Sequence, residues 1–344
     1  MHIPPEPLYK RFIRPFTSRP YTPREGLGVL WRNLVGADAR NEADVHFAPR
    51  RNVLNAIDPR VSVGFGGDVM SMFERPLRID PSVRDFWAPC DHVLLNFEGV
   101  ITAEPQIAPD QKHTRPILDS LLQAAPAERL VLSLANNHTG DYGEPTCRYT
   151  LDLLRERGFR CFGIQDCPSI DLGDDIRVIT GTQWSNRTGH HLAWLKGPEQ
   201  HRRAGAFNLL YPHWGFELEL YPRPSLVDQM QHWLTQFDAV IGHHSHTPQP
   251  LTVHTPAMGP RQVAAYSLGD FCFGMAFDRF TLKYYIWGLI GRMTLGPLHA
   301  DPTRWAVGEL EWSFIECRQP TGQDGFVVRT VDQIPLFPSV PLAA

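Results

Sequence analysis

The sequence predicts an α/β domain, and three observations carry that prediction. From Arg60 onward, short apolar segments alternate with segments of helical spacing. The strand-like segments repeatedly run straight into polar residues, as strand ends do in α/β folds. The 344 residues, 42% hydrophobic, 11% aromatic and 20% charged, hold enough apolar material for a large core and exclude a largely disordered chain.

The elements follow in order. Residues 1–58 read as a Pro-rich, basic arm that packs on the domain, broken by Pro4, Pro5, Pro7, Pro15, Pro20, Pro23 and Pro49 and charged by Lys10, Arg11, Arg14, Arg19 and Arg24. Within the arm, only residues 27–35 have a helical pattern. Residues 61–65 alternate as a strand, expected to stop at Gly66-Gly67-Asp68. Residues 92–97 form a second strand ending at Glu98-Gly99, and 130–134 a third ending at Asn136-Asn137-His138. Between these two, Ile117, Leu118, Leu121 and Leu122 share one helical face. A further helix is expected over 145–157, stopped by Gly158. Strands at 176–180, 206–211, 239–241 and 263–267 follow, with a helix at 225–237 leading into the third of them. This alternation predicts a largely parallel central sheet. Residues 305–337 alternate without a helical pattern and are expected to add antiparallel strands.

Charge and cysteine content exclude several function classes. A net charge of −4, from 33 basic and 37 acidic residues with no long basic run, argues against nucleic acid as partner. No apolar run approaches the ~18 residues of a transmembrane helix, so no transmembrane anchor is expected. The opening residues lack the charged-then-apolar layout of a secretory signal. Six scattered cysteines without a C-x-x-C are expected to be reduced core thiols, and the expected location is cytoplasmic.

The candidate chemistry sits at strand ends. Asp68, Glu98, Asn137 with His138, His213, and His243-His244-Ser245-His246 each follow an apolar strand. Were those strands parallel neighbours, the side chains would converge at one rim, where open α/β sheets build their sites. Carboxylates, a carboxamide and imidazoles together suit Mn, Fe, Zn or Co. Taken singly the signals differ in weight. Gly66-Gly67-Asp68 is equally an ordinary turn, Glu98 before Gly99 a surface one, and His213 equally a satisfied half-buried histidine. The run Gly242-His243-His244-Ser245-His246 says most, because side chains two apart in an extended segment share a side. On that geometry His244 and His246 approach one metal site.

Six motifs in fixed order now carry a resemblance. Gly67-Asp68-Val69-Met70, Asn96-Phe97-Glu98-Gly99, Ala135-Asn136-Asn137-His138 followed by Asp141-Tyr142-Gly143, His213-Trp214-Gly215, Gly242-His243-His244-Ser245-His246 and Tyr266-Ser267-Leu268-Gly269-Asp270-Phe271 succeed one another within residues 60–275. Together they resemble the CapA family of capsule poly-γ-glutamate synthesis proteins, within the calcineurin-like metallophosphoesterase superfamily. The resemblance implies a four-layer α/β/β/α sandwich with a two-metal site between its sheets. It makes residues 59–344 the CapA-like domain, with added strands at 300–340. It also implies roles: Asp68 on the first of two divalent ions (Mn, Fe or Zn), Glu98 bridging both, Asn137, His213 and His244 on the second, and His246 completing the first. His138 would act on the substrate as the catalytic imidazole, and His243, Asn96 and Asp270 would contact substrate or support the ligands.

Three departures qualify the match. Met70 stands where the superfamily usually has a His ligand, which leaves the first ion one ligand short. Glu98 stands for the usual bridging Asp, and Asp270 for an expected Asn. Two cations bridged by a carboxylate would supply activated water and offset charge on a reacting oxygen. The favoured function is therefore a metal-dependent hydrolase of phosphoesters. The alternatives are a protein that makes, cleaves or binds an acidic peptide or polymer such as poly-γ-glutamate, and a non-catalytic scaffold.

Overall fold

Apolar strands assemble into two large sheets in a mixed α/β fold, seen in a computed structural model that describes residues 22–106, 110–187 and 189–340. Most of the arm's Pro and basic residues precede residue 22 and lie outside the described residues. Helix α1 (Pro23–Val35) starts where Thr22 accepts the Glu25 N–H through its hydroxyl, with Pro23 as its first residue. It packs by its polar side. The Arg32 guanidinium donates to the Glu217 carbonyl at 2.7 Å and pairs with Glu219 at 3.3 Å, while Arg223 joins Glu25 to Glu219. The apolar side of α1 consequently faces outward, with Leu27, Leu30, Trp31 and Leu34 exposed.

Strand β1 (Val61–Val69) is the centre of the larger, ten-stranded sheet. On one side it pairs in parallel with β2 (His92–Phe97), which pairs with β3 (Leu130–Ser133), and that with Arg160–Phe162. In the chain, α2 (Pro81–Trp87) lies between β1 and β2, α3 (Pro116–Leu121) between β2 and β3, and α4 (Gly143–Glu156) between β3 and Arg160–Phe162. Leu122 falls beyond the end of α3 and is 37% exposed, while Ile117, Leu118 and Leu121 are buried as expected.

The second sheet holds β4 (Ile176–Thr182), β5 (Phe207–His213), β6 (Ala239–Ile241) and β7 (Gln262–Ala265) in parallel register, with antiparallel strands at both edges. Alternation decides what each face touches. Val178, Leu209 and Ile241 join the same core as Phe65 and Leu94 of the first sheet. Ile179, Leu210 and Val240 instead pack on Leu226, Met230 and Trp233 of helix α5 (Pro224–Leu234).

The other half of the larger sheet is antiparallel. Strand β8 (Asp270–Cys272) runs parallel to the end of β1, and β9 (Trp287–Pro297), β10 (Trp305–Arg318) and β11 (Phe326–Val331) form a meander beyond it. The expected largely parallel sheet is therefore corrected to one mixed sheet and one mostly parallel sheet. The C-terminal strands are also not peripheral, since β10 contributes buried Trp312 and Phe314 to the core. Gly288, Gly291 and Gly296 hide β9 in the sequence by interrupting its apolar pattern. They are there for space: a Cβ on Gly291 would sit 2.2 Å from the Phe65 ring.

The expected stop of β1 at Gly66-Gly67-Asp68 is likewise corrected, because the strand continues through Asp68 to Val69. A Cβ on Gly67 would lie 1.8 Å from the Gly269 carbonyl oxygen, the acceptor of the Asp68 N–H at 3.0 Å. The glycine allows the chain leading into β8 to close on β1. Gly67→Ala should therefore cost about 3 kcal/mol in a urea-denaturation experiment, the upper range for overpacking. Wild-type stability would show that the contact relaxes freely. All six cysteines are free, and among the described residues no helix is long and apolar enough to cross a membrane.

Candidate metal centre

The C-terminal ends of β1, β2, β3, β5 and β6 meet, and their polar side chains form one buried cluster. Register places Asp68 beside Asn96 on one side and Asp270 on the other. Asn96 donates to Asp68 Oδ1 at 2.7 Å, and the His244 N–H donates to Asp68 Oδ2 at 3.0 Å. Asn136 fixes the turn after β3: its amide donates to the Phe97 carbonyl at 2.9 Å, and its Oδ1 accepts the His138 N–H at 3.1 Å. That turn presents Asn137 and His138 to the cluster.

Glu98 is fully buried, and among the described residues neither carboxylate oxygen has a hydrogen-bond partner. Burial, reinforced by the charge of Asp68, pushes its carboxyl well above the usual range. An ionised carboxylate left so would be costly without a cation. Ligand atoms of Asp68, Glu98 and His246 lie within 4.8 Å of one another, as do those of Glu98, His213 and His244, and those of Asp68, His213 and His243. Glu98 is common to the first two groups. These residues could hold a metal ion.

The imidazoles occupy different electrostatic settings. Burial, with neighbouring imidazoles led by His244, holds His213 well below its usual value, and burial with His246 does the same to His244. Both are thus neutral rings able to donate a lone pair to a cation. His213 Nε2 is 2.7 Å from Asn137 Oδ1, and its Nδ1 is 2.8 Å from His243 Nδ1. Trp184 donates its indole N–H to His244 Nε2 at 3.1 Å. Burial alone would lower His246, but the carboxylates of Asp270 and Glu98 outweigh it and hold the ring well above its usual value. Its Nδ1 is 2.9 Å from Asp270 Oδ1 and 4.0 Å from Asp68 Oδ2, while Nε2 is 4.0 Å from Glu98 Oε1. Burial in turn pushes the Asp270 carboxyl up to about 7, with His246 opposing.

All six residues expected as ligands, Asp68, Glu98, Asn137, His213, His244 and His246, lie in this cluster, together with His243, Asn96 and Asp270. One expectation about them is corrected. The segment carrying the histidines is not extended: His244 has φ 110° and His246 φ 56°. Two non-glycine residues at positive φ are held there only because the surrounding contacts determine them. The two rings nevertheless meet edge to face with centroids 5.8 Å apart, and they fall in adjoining ligand groups, His244 with His213 and His246 with Asp68. Met70 is buried at the wall of the adjoining cavity, where the superfamily pattern has its histidine.

His138 stands at the rim. Its Nδ1 is 2.6 Å from Asp141 Oδ2 and 2.9 Å from Asn186 Nδ2, and its Nε2 is 3.7 Å from Glu98 Oε1. Asp141 is itself fixed, its Oδ2 accepting the Gln111 N–H at 2.9 Å. Trp184, Asn186 and Glu217 were not identified as site residues from sequence. They come from loops after β4 and β5, and no spacing pattern singled them out.

Fold and cluster define a mixed α/β protein with a buried carboxylate–imidazole centre at the ends of its parallel strands. The bacterial capsule synthesis protein model, PGA_cap, matches residues 62–169 and 193–275. The chain belongs to that family, which lies within the metallophosphoesterase-like superfamily. A search of curated proteins finds no match. Among solved structures, a hypothetical protein from Thermus thermophilus is similar at 13% identity and a TM-score of 0.41, over 72% of this chain and 98% of that one.

Proposed function

We propose that this protein is a metal-dependent hydrolase whose substrates are phosphoesters. The observation that carries the reading is Glu98, whose two buried oxygens have no hydrogen-bond partner among the described residues and which belongs to two ligand groups at once. In this reading Asp68, Glu98 and His246 hold one divalent ion, and Glu98, Asn137, His213 and His244 a second; Mn, Fe or Zn suits such donors. The ions, when bound, supply an activated water and offset charge on the phosphoryl oxygens. Asp270 orients His246 through its Nδ1, and His243 supports His213 in the same manner, as partners of ligating imidazoles generally do. His138, tethered at Nδ1 by Asp141, presents Nε2 to the leaving oxygen as its proton donor.

The same proposal takes residues 59–344 as the catalytic domain and the two sheets as the inner layers of a four-layer sandwich. Its support is the core that Val178 and Leu209 share with Phe65 and Leu94, with α5 covering the second sheet's other face. A cytoplasmic location agrees with six free thiols, five of them buried. The family's name favours a second reading, in which an acidic polymer is made, bound or cleaved at a γ-amide. Against it, among the described residues the cavity beside the cluster is lined by no Lys or Arg and includes Glu217.

A panel of phosphomonoesters, phosphodiesters and a γ-glutamyl amide separates the readings. Phosphoester turnover supports the first, and cleavage of the amide alone supports the second. Chelation should also lower the melting temperature, because the carboxylates and imidazoles would lose the charge that compensates them. An unchanged melting curve would favour a scaffold without metal.

A further inference from the structure

The cavity next to the cluster, about 320 Å³ in volume, has two unlike ends. Asn137, His138 and His246 form the inner end. Most of the remaining wall is hydrocarbon, with Asn33, Gln111 and Glu217 as polar members: Val29 and Leu30 come from α1, Phe273 and Met275 follow β8, and Leu282 comes from the short 3-10 helix Phe280–Ile286. The two helical walls are pinned together, since the Thr281 hydroxyl donates to the Asn33 carbonyl and the Tyr285 hydroxyl to Asn33 Oδ1 at 3.0 Å. Leu30 remains 44% exposed and Met275 36% exposed at this mouth. From Leu30 the apolar surface continues outward along α1 through Leu27, Trp31 and Leu34, the side that the Arg32 and Arg223 ion pairs turn away from the core.

Such a wall selects by chemistry. A polyanionic substrate needs cationic side chains along its path, and among the described residues no Lys or Arg lines this cavity, where Glu217 adds a carboxylate. A hydrocarbon substituent, in contrast, gains by leaving water against Val29, Leu30 and Leu282. We propose that the site takes phosphoesters of apolar alcohols, with the phosphoryl group at the His138 end and the hydrocarbon chain against Leu30, Met275 and Leu282. This rests on the phosphoester reading above and names the substrate class within it.

The test is calorimetric binding of methyl phosphate and hexyl phosphate to the full chain as purified, which requires no turnover. Hexyl phosphate should bind about tenfold or more tightly than methyl phosphate, a conservative fraction of what burying its added methylenes supplies. Leu30→Gln and Met275→Gln, both uncharged and at partly exposed positions, should remove most of that preference, read in each variant as the ratio of the hexyl to the methyl phosphate affinity. Leu34→Gln, on the same helix but outside the cavity, should retain the preference. Equal affinities, no binding of either ligand, or a preference that survives both cavity substitutions would overturn the proposal. An intact hexyl preference with no turnover of any phosphoester would fault the hydrolase reading while supporting this inference.

Discussion

Glu98→Ala should lose metal and activity together, with turnover falling to the level of buffer. The loss is expected to be complete because Glu98 is the only residue common to the Asp68–His246 and His213–His244 ligand groups. In the proposed centre, removing it would take a bond from each ion at once, whereas His244→Ala would take one bond from one ion and should leave binding at the other in place. Glu98→Gln sharpens the comparison. The amide keeps the shape but has no charge to bridge two cations, so metal should still be lost. In the metal-free protein the carboxyl of Glu98 is held well above its usual range by burial and by Asp68. A group whose folded pKa is raised in this way costs stability once the pH exceeds its unfolded value, near ~4.3 for Glu. At pH 7 the metal-free Glu98→Gln protein should therefore melt a few degrees above the metal-free parent. A lower melting temperature would show that the carboxylate has a stabilising partner other than metal.

His138→Ala should behave differently. It should cut turnover by ~10²-fold or more, the usual scale for a lost general acid, while metal content and melting temperature stay near those of the parent. The geometry separates the two effects, because His138 belongs to none of the ligand groups and is anchored through Nδ1 to Asp141. Asp141→Asn tests the anchor. It keeps the shape of the pair but removes the negative charge beside the imidazole, so its activity should fall between those of the parent and His138→Ala. If His138→Ala lost its metal as Glu98→Ala does, the division between ligand and proton donor would be wrong.

Much of this site was legible in the sequence because strand ends in a parallel sheet are adjacent in space. Asp68, Glu98 and Asn137 each follow an apolar run, and the register of β1, β2 and β3 turns that serial position into proximity. The His243-His244-Ser245-His246 string marked itself by density alone, yet its geometry could not be read from an extended-strand rule. The positive φ angles at His244 and His246 arise from contacts such as the His244 N–H to Asp68, which lies 176 positions away. Trp184 and Asn186 were invisible for the same reason, as isolated polar or aromatic residues whose roles depend on His244 and His138. On the fold side, β9 was missed because glycines replace its side chains wherever Phe65 and neighbouring strands need room. The helical pattern over 27–35 did mark a helix, which the structure extends back to Pro23. Periodicity does not say which side faces the core, and here the ion pairs of Arg32 and Arg223 decide it.

The central claim is that the buried carboxylates and imidazoles exist to hold divalent metal. Elemental analysis of the parent chain, purified without chelator and again after incubation with Mn, Fe or Zn, tests it most directly, with Glu98→Ala measured alongside. The account predicts two ions bound to the parent and a background level in Glu98→Ala. A parent that stays at background after every incubation, or a Glu98→Ala variant that retains the parent's metal, would contradict it.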